Sequence, residues 1–183
     1  MKVLVVGSGG REHALCWAIS KSKKCRELFC APGNPGINDI ATCVDISAED
    51  IDGLVDFSLE KKINYVVIGP EVPLVAGIVD KLEEVGIPSF GPNAKASILE
   101  ASKGFMKDFC ARFQIPTAKY WRFADPKSAK DFVETKCAPL VVKADGLAAG
   151  KGVLICRTIL EAKLAIDSIM TEKSFGIDAG AEI

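Results

Sequence analysis

Residues 141–156 read "VVKADGLAAGKGVLIC". Two short apolar runs flank a loop that holds Gly146, Gly150 and Gly152, with Lys143 before it and Lys151 inside it. Glycine with lysine suits a phosphate site: glycine amides approach an anion closely and the ammonium supplies charge. Two architectures compete for the stretch. A phosphate loop of the Walker A type needs Gly, four residues, Gly-Lys-Ser/Thr, and then a helix. Counting back from Lys151, the first glycine position is Asp145 and the hydroxyl position is Gly152. The run that follows, "VLIC", is apolar and β-rich, which predicts a strand. The loop therefore joins strand to strand and drapes over a triphosphate as a flap. A helix through 153–158 would overturn that reading. Lys143 closes an apolar strand, a costly place for an ammonium unless it faces a polar pocket or an anion. Three glycines in the eight residues 145–152 predict mobility there.

Working outward, apolar runs alternate with amphipathic stretches. "KVLVV" (2–6), "ELFCAPGN" (27–34), "NYVVIGPE" (64–71) and "PSFGP" (88–92) read as strands. Their near-continuous apolar character suits strands covered on both faces. Between them, helices are predicted over 11–22, from a Ser47/Asp50 capping pair onward, and in one piece after Glu71 with Leu74, Val75, Ile78, Val79 and Leu82 inward. The alternation predicts an α/β fold, a doubly wound parallel sheet of Rossmann-like type, through about residue 100. A helix over 102–113 is expected to bury Phe105, Met106, Phe109 and Phe113. A connector with a strand covers 114–123. Asp125 and Pro126 start another helix. A strand (139–143), the glycine loop, a strand (153–156) and a helix (158–171) capped by Thr158 and Glu161 follow. The domain boundary is placed at 122/123, with a small α+β unit after it. "EKSFGIDAGAEI" ends the chain as a new strand is about to begin, so the sequence reads as a fragment.

The bulk numbers exclude several classes. A net charge of −1 gives no electrostatic reason to expect nucleic acid or an anionic membrane as partner. No run approaches the roughly 18 apolar residues of a membrane span. Seven cysteines without a Cys-x-x-Cys pair, and one histidine, His13, offer no zinc spacing. They read as reduced thiols in a cytoplasmic protein, and no metal ligand is assigned.

The first loop, "VVGSGGREHA" (5–14), lies between strand and helix, where helix-terminal amides hold a phosphate. Gly7 and Gly9 match two glycines of a dinucleotide fingerprint, but Glu12 stands at the third, and no acid closes the second strand to grip a ribose hydroxyl. The loop therefore reads as a site for a single phosphate monoester, with Arg11 adding charge, and His13 as either a ligand contact or a structural residue. Glu71, just beyond a strand's carboxyl end, is placed where parallel sheets bind ligands. Lys103 opens a helix against the dipole, which hints at a bound anion.

Taken in order, "VLVVGSGGREHAL", "APGNPG", "VVIGPEVPLVAGIVDKL", "FGPNAKASILEASKGFMKDF", "IPTAKY" and "VVKADGLAAGKGV" resemble the glycinamide ribonucleotide synthetases. These are the phosphoribosylamine–glycine ligases of purine biosynthesis, ATP-grasp enzymes. The resemblance implies that ATP, glycine and 5-phosphoribosylamine give glycinamide ribonucleotide, ADP and phosphate through a glycyl phosphate. It places Gly9, Gly10, Arg11 and Glu12 at the phosphoribosylamine site, with Asn34 and Glu71 nearby. It puts Lys103 and Lys143 on ATP, with Asp145, Gly146, Gly150, Lys151 and Gly152 in the loop that closes on the phosphates. Magnesium (or manganese) is the implied cofactor and a monomer the implied full-length state. Residues 1–122 become the N-terminal substrate domain and 123–183 an ATP-grasp lid. Family members are longer, so catalytic and metal-binding residues are expected beyond Ile183, and the chain alone is expected to be inactive. The rival readings are a nicotinamide-dependent oxidoreductase, a P-loop NTPase, another ATP-grasp carboxylate–amine ligase, and a fragment that only binds a sugar phosphate.

Overall fold

The run "KVLVV" becomes β1 (Lys2–Gly7), the middle strand of a five-stranded parallel sheet. Its partners are β2 (Glu27–Pro32), β3 (Thr42–Cys43), β4 (Tyr65–Ile68) and β5 (Ser89–Phe90), in the order β3-β2-β1-β4-β5. In register, Val5 lies opposite Cys30 on one side and Val67 on the other. Alternate residues face opposite layers. Leu4, Val6, Val66 and Ile68 bury against α2 (Ile51–Glu60) and α4 (Ile78–Glu84), through Leu54, Val55, Ile78 and Leu82. Val3, Val5, Cys30 and Val67 bury with Ile37 and with Cys16 of α1 (Gly10–Ser20). Both faces are covered, which is why these strands read as continuous apolar runs. The chain leaves β1 toward β2 and comes back to β4 on the other side. That reversal opens a crevice at the carboxyl ends of β1 and β4.

A computed structural model of the chain describes residues 1–148, 151–176 and 181–183. Within the first unit, Met1–Ser97, three details depart from the sequence reading. The helix expected in one piece after Glu71 is two, α3 (Glu71–Val75) and α4, parted at Gly77 with φ +88°. That left-handed turn suits a glycine and breaks the hydrogen-bond ladder. Ser47 does not share the cap of α2. Asp50 alone caps it, accepting from Gly53 N at 3.0 Å, while Ser47 Oγ accepts from Glu49 N outside the helix. The two-residue β3 was not foreseen.

The second unit is Ile98–Ile183, and the division falls inside α5 (Ala94–Ala101). It lies well before the boundary expected at 122/123. The reason is that α6 (Lys103–Arg112) and the following connector bond within the second unit: Gly104 N donates to Asp145 Oδ1, and Phe123 exchanges backbone hydrogen bonds with Ile183 at 3.0 and 3.1 Å. The connector 114–123 forms no strand, one reciprocal pair being too short a ladder. α7 (Pro126–Glu134) starts on its Asp125 cap as expected. β6 (Leu140–Lys143) and β7 (Val153–Cys156) form an antiparallel hairpin, pairing Val141 with Ile155 and Lys143 with Val153. Only after it does α8 (Ile159–Ile166) begin, running on into a π-helical turn, Asp167–Thr171. The core of this unit joins Val133, Val142, Cys156, Ala162, Ile166 and Ile169. The aromatic stripe on α6 stays open: Phe105 and Phe113 are 43% and 55% exposed, and the helix buries Gly104 and Cys110 instead. Among the described residues no helix is long and apolar enough to cross a membrane.

Candidate functional site

In the first unit the crevice at the ends of β1 and β4 gathers the residues expected there. Gly9 caps α1, and the first-turn amides of Gly10 and Arg11, which have no intrahelical acceptor, lie exposed. Arg11 Nη1 donates to Glu71 Oε1 at 3.0 Å. That bond holds the Glu71 carboxyl below its ordinary value and raises the guanidinium. Asn34 ties the neighbouring loop down: its Nδ2 donates to Ser8 O at 2.7 Å and its Oδ1 accepts from Ile37 N at 3.0 Å. His13 lies against Gly36, where a methyl group would come within 2.7 Å of its Cε1. Glu12 turns inward, 3% exposed. Its Oε2 accepts from Gly9 N at 2.7 Å, and among the described residues its buried Oε1 has no hydrogen-bond partner. The crevice thus offers the amides of Gly10 and Arg11 and the Arg11 guanidinium at the start of α1, with Glu71 across from them and Glu12 turned in beneath the loop.

In the second unit the outer face of the hairpin lines a cavity of about 630 Å³. Val141, Val153 and Ile155 give it an apolar wall, and Lys103 and Lys143 reach its edge with Asp145. Strand and helix fix these groups by a reciprocal clamp. Asp145 Oδ1 accepts from Gly104 N at 2.5 Å and Oδ2 from Ser102 Oγ at 2.8 Å, so its carboxylate offsets the dipole at the start of α6. Lys103 Nζ in turn donates to the carbonyls of Asp145 (3.2 Å) and Gly146 (3.0 Å). The start of α6 is therefore answered by a carboxylate of the protein itself, and the Lys103 ammonium by two backbone carbonyls. Gly152 is buried and its carbonyl accepts from Ala144 N at 2.8 Å. Lys151 is exposed and is not part of the cavity lining. Gly150 lies outside the described residues.

The whole of the chain is matched by known proteins. A family model described as "Phosphoribosylglycinamide synthetase, N domain" matches residues 1–100, and "Phosphoribosylglycinamide synthetase, ATP-grasp (A) domain" matches 101–183. The chain belongs to the phosphoribosylglycinamide synthetase family. It is 54% identical over 183 residues to the phosphoribosylamine–glycine ligase of Agrobacterium fabrum, covering all of this chain and 43% of that protein. A crystal structure of the phosphoribosylamine–glycine ligase of Thermotoga maritima superposes with a TM-score of 0.74 at 28% identity, over 96% of this chain and 41% of that one. The biotin carboxylase domain of the Hydrogenobacter thermophilus 2-oxoglutarate carboxylase, crystallised with MgADP, ADP and bicarbonate, shares the fold: TM-score 0.72, 21% identity, 95% and 42% coverage. The chain thus spans about 43% of the length of its curated Agrobacterium relative.

For this phosphoribosylglycinamide synthetase segment, the sequence reading missed two groups that line the cavity of the second unit. Arg122 lies across Gly104, where a methyl group would collide with its guanidinium, and bridges Asp108 and Glu182 at 2.6 Å each. The rings of Trp121 and Phe132 meet at 5.0 Å, tilted by 49°, with Lys136 Nζ 4.7 and 4.6 Å from their centres. The aromatic-basic cluster "YWRF" was the available signal.

Proposed function

We propose that this chain supplies the phosphoribosylamine crevice and part of the ATP cleft of a phosphoribosylamine–glycine ligase. In that reaction a glycine carboxylate oxygen attacks the γ-phosphorus of ATP, forming glycyl phosphate and releasing ADP. The amine of 5-phosphoribosylamine then attacks the acyl carbon and expels phosphate. The observation that carries the reading is the hairpin: a glycine loop joining strand to strand, with Lys103 and Lys143 fixed at the edge of one apolar-walled cavity.

Each residue then has a role set by its chemistry. The amides of Gly10 and Arg11 and the Arg11 guanidinium suit the sugar's phosphate, with Gly9 shaping the turn while its own N–H is held by Glu12. Glu71 and Asn34 suit its hydroxyls or amine, and Glu12 lies beneath them. Lys103 and Lys143 neutralise charge on the ATP phosphates as it shifts during transfer. Gly146, Gly150, Lys151 and Gly152 belong to the loop that closes on them. Asp145 acts differently from its neighbours: both its oxygens are committed to α6, so it positions the loop and leaves the phosphates to the lysines. Residues 123–183 form the lid of the ATP-grasp unit in this reading, and the enzyme works as a cytoplasmic monomer. Magnesium accompanies ADP in the Hydrogenobacter relative. Among the described residues of this chain no group of three His, Cys, Asp or Glu is placed to hold a metal ion, and none is assigned to it.

The test is a graft. Replacing the matching segment of the Agrobacterium fabrum ligase with this chain is expected to preserve phosphoribosylamine- and glycine-dependent ADP release. Lys143→Met in the graft is expected to lower that rate at least tenfold. A folded graft without the activity, or with activity indifferent to Lys143, would refute the proposal.

A further inference from the structure

In a Gly-x-Gly-x-x-Gly cradle the second glycine lets the backbone approach a pyrophosphate, and the third lets the helix pack closely on the strand. Gly7 and Gly9 hold the first two places here and Glu12 the third. Its side chain fills the switch point between β1 and β4. A methyl group at Gly7 would lie 2.6 Å from Glu12 Cγ, and one at Gly69 would overlap the carboxylate. Oε2 consumes the N–H of Gly9, the amide of the second glycine. Among the described residues Oε1 is left buried with no hydrogen bond, and Arg11 Nε stays 4.0 Å away because Nη1 is held by Glu71. A buried carboxylate oxygen without a partner is costly, and an apolar side chain of similar size would fill the space without that cost. What the charge adds is a fixed anion at the amino end of α1, where a second phosphoryl group would come. Like charges brought together in a partly dry crevice repel strongly, and such repulsion is a direct way to reject a wrong ligand.

We infer that Glu12 is the specificity-determining residue of this loop: a built-in anion that takes the pyrophosphate seat and limits the crevice to ligands carrying a single phosphoryl group. A monoester still finds the exposed amides of Gly10 and Arg11 and the Arg11 guanidinium. A diphosphate or dinucleotide meets the carboxylate. The inference rests on reading the crevice as a sugar-phosphate site.

The test is calorimetric titration of the whole chain with ribose 5-phosphate and with inorganic pyrophosphate, at fixed salt. Glu12→Gln keeps the volume and removes the charge; Glu12→Ala removes both, and thermal melting checks that each folds. The wild type is expected to favour ribose 5-phosphate over pyrophosphate at least tenfold. Glu12→Gln is expected to raise pyrophosphate affinity at least tenfold, so that the preference for ribose 5-phosphate over pyrophosphate shrinks. Pyrophosphate binding no tighter in either folded variant than in the wild type overturns the inference, as does a wild type that binds both ligands equally. Pyrophosphate gained by Glu12→Gln in a protein that takes no ribose 5-phosphate would sustain the inference and remove the sugar-phosphate reading beneath it.

Discussion

Arg11 and Glu71 come from α1 and α3, 60 residues apart, and meet across the crevice at 3.0 Å. Both are largely in water, with side chains 66% and 40% exposed, so the pair adds little to stability. Its consequence is electrostatic. The hydrogen bond from Arg11, then one from backbone, depresses the Glu71 carboxyl below its ordinary value. A carboxyl whose folded pKa lies below its unfolded one stabilises the fold above the unfolded value, near 4.3, and loses that contribution as pH falls through the folded one. A Glu71→Gln variant should therefore melt slightly below the wild type at pH 7. The two melting curves should converge as pH is lowered beneath about 4, a range set by the unfolded carboxyl. A gap that widens in acid would show that Glu71 is not held ionised by Arg11. The crevice residues themselves were legible in the sequence, because a parallel sheet always delivers the loops after its strands to one edge. The inward turn of Glu12 was not, since nothing in the string tells that Gly7 and Gly69 clear a space for it.

At the scale of elements, α6 and the glycine loop hold each other. Asp145 caps the helix through Ser102 and Gly104, and Lys103 caps the loop through two carbonyls. Removing the carboxylate leaves the Gly104 N–H and the Ser102 hydroxyl without their acceptor, so Asp145→Ala should cost about 1–2 kcal/mol, the range for loss of a helix cap. Urea unfolding followed by the fluorescence of Trp121 in a Trp17→Phe background measures it, and hydrogen exchange of the 103–106 amides should accelerate in parallel. An unchanged midpoint with unchanged exchange would deny the clamp. This tie spans 41 residues and left no mark in local pattern, whereas the strands, the Asp125 cap and the hairpin all did. Periodicity likewise gave the aromatic face of α6 but not what lies against it, so Phe105 and Phe113 were expected inside and are exposed. The break at Gly77 was hidden because apolar residues keep helical spacing across it.

At the scale of the molecule, the sequence read one sheet domain followed by a small unit, and the chain does have two sets of cores, but the division comes earlier than composition suggested. Texture changes near 115–123, while the bonding changes inside α5, because α6 is fastened by side chains to residues more than 40 positions later. Separate cores predict separate responses to cavities. Leu54 is 1% exposed among Leu4, Val55 and Leu82 in the first unit, and Ile166 is 0% exposed among Val133, Ala162 and Ile169 in the second. Truncating either to alanine removes several methyl groups from a packed site and should cost about 2–5 kcal/mol, the upper part of that range where the walls cannot collapse. Stability is spent locally before it is spent globally, since partial openings need less energy than complete unfolding. Leu54→Ala should then raise exchange most in β1, β4 and α2, and Ile166→Ala most in β6, β7 and α8. Exchange that rises evenly over all of these elements in either variant would mean that the two cores melt as one.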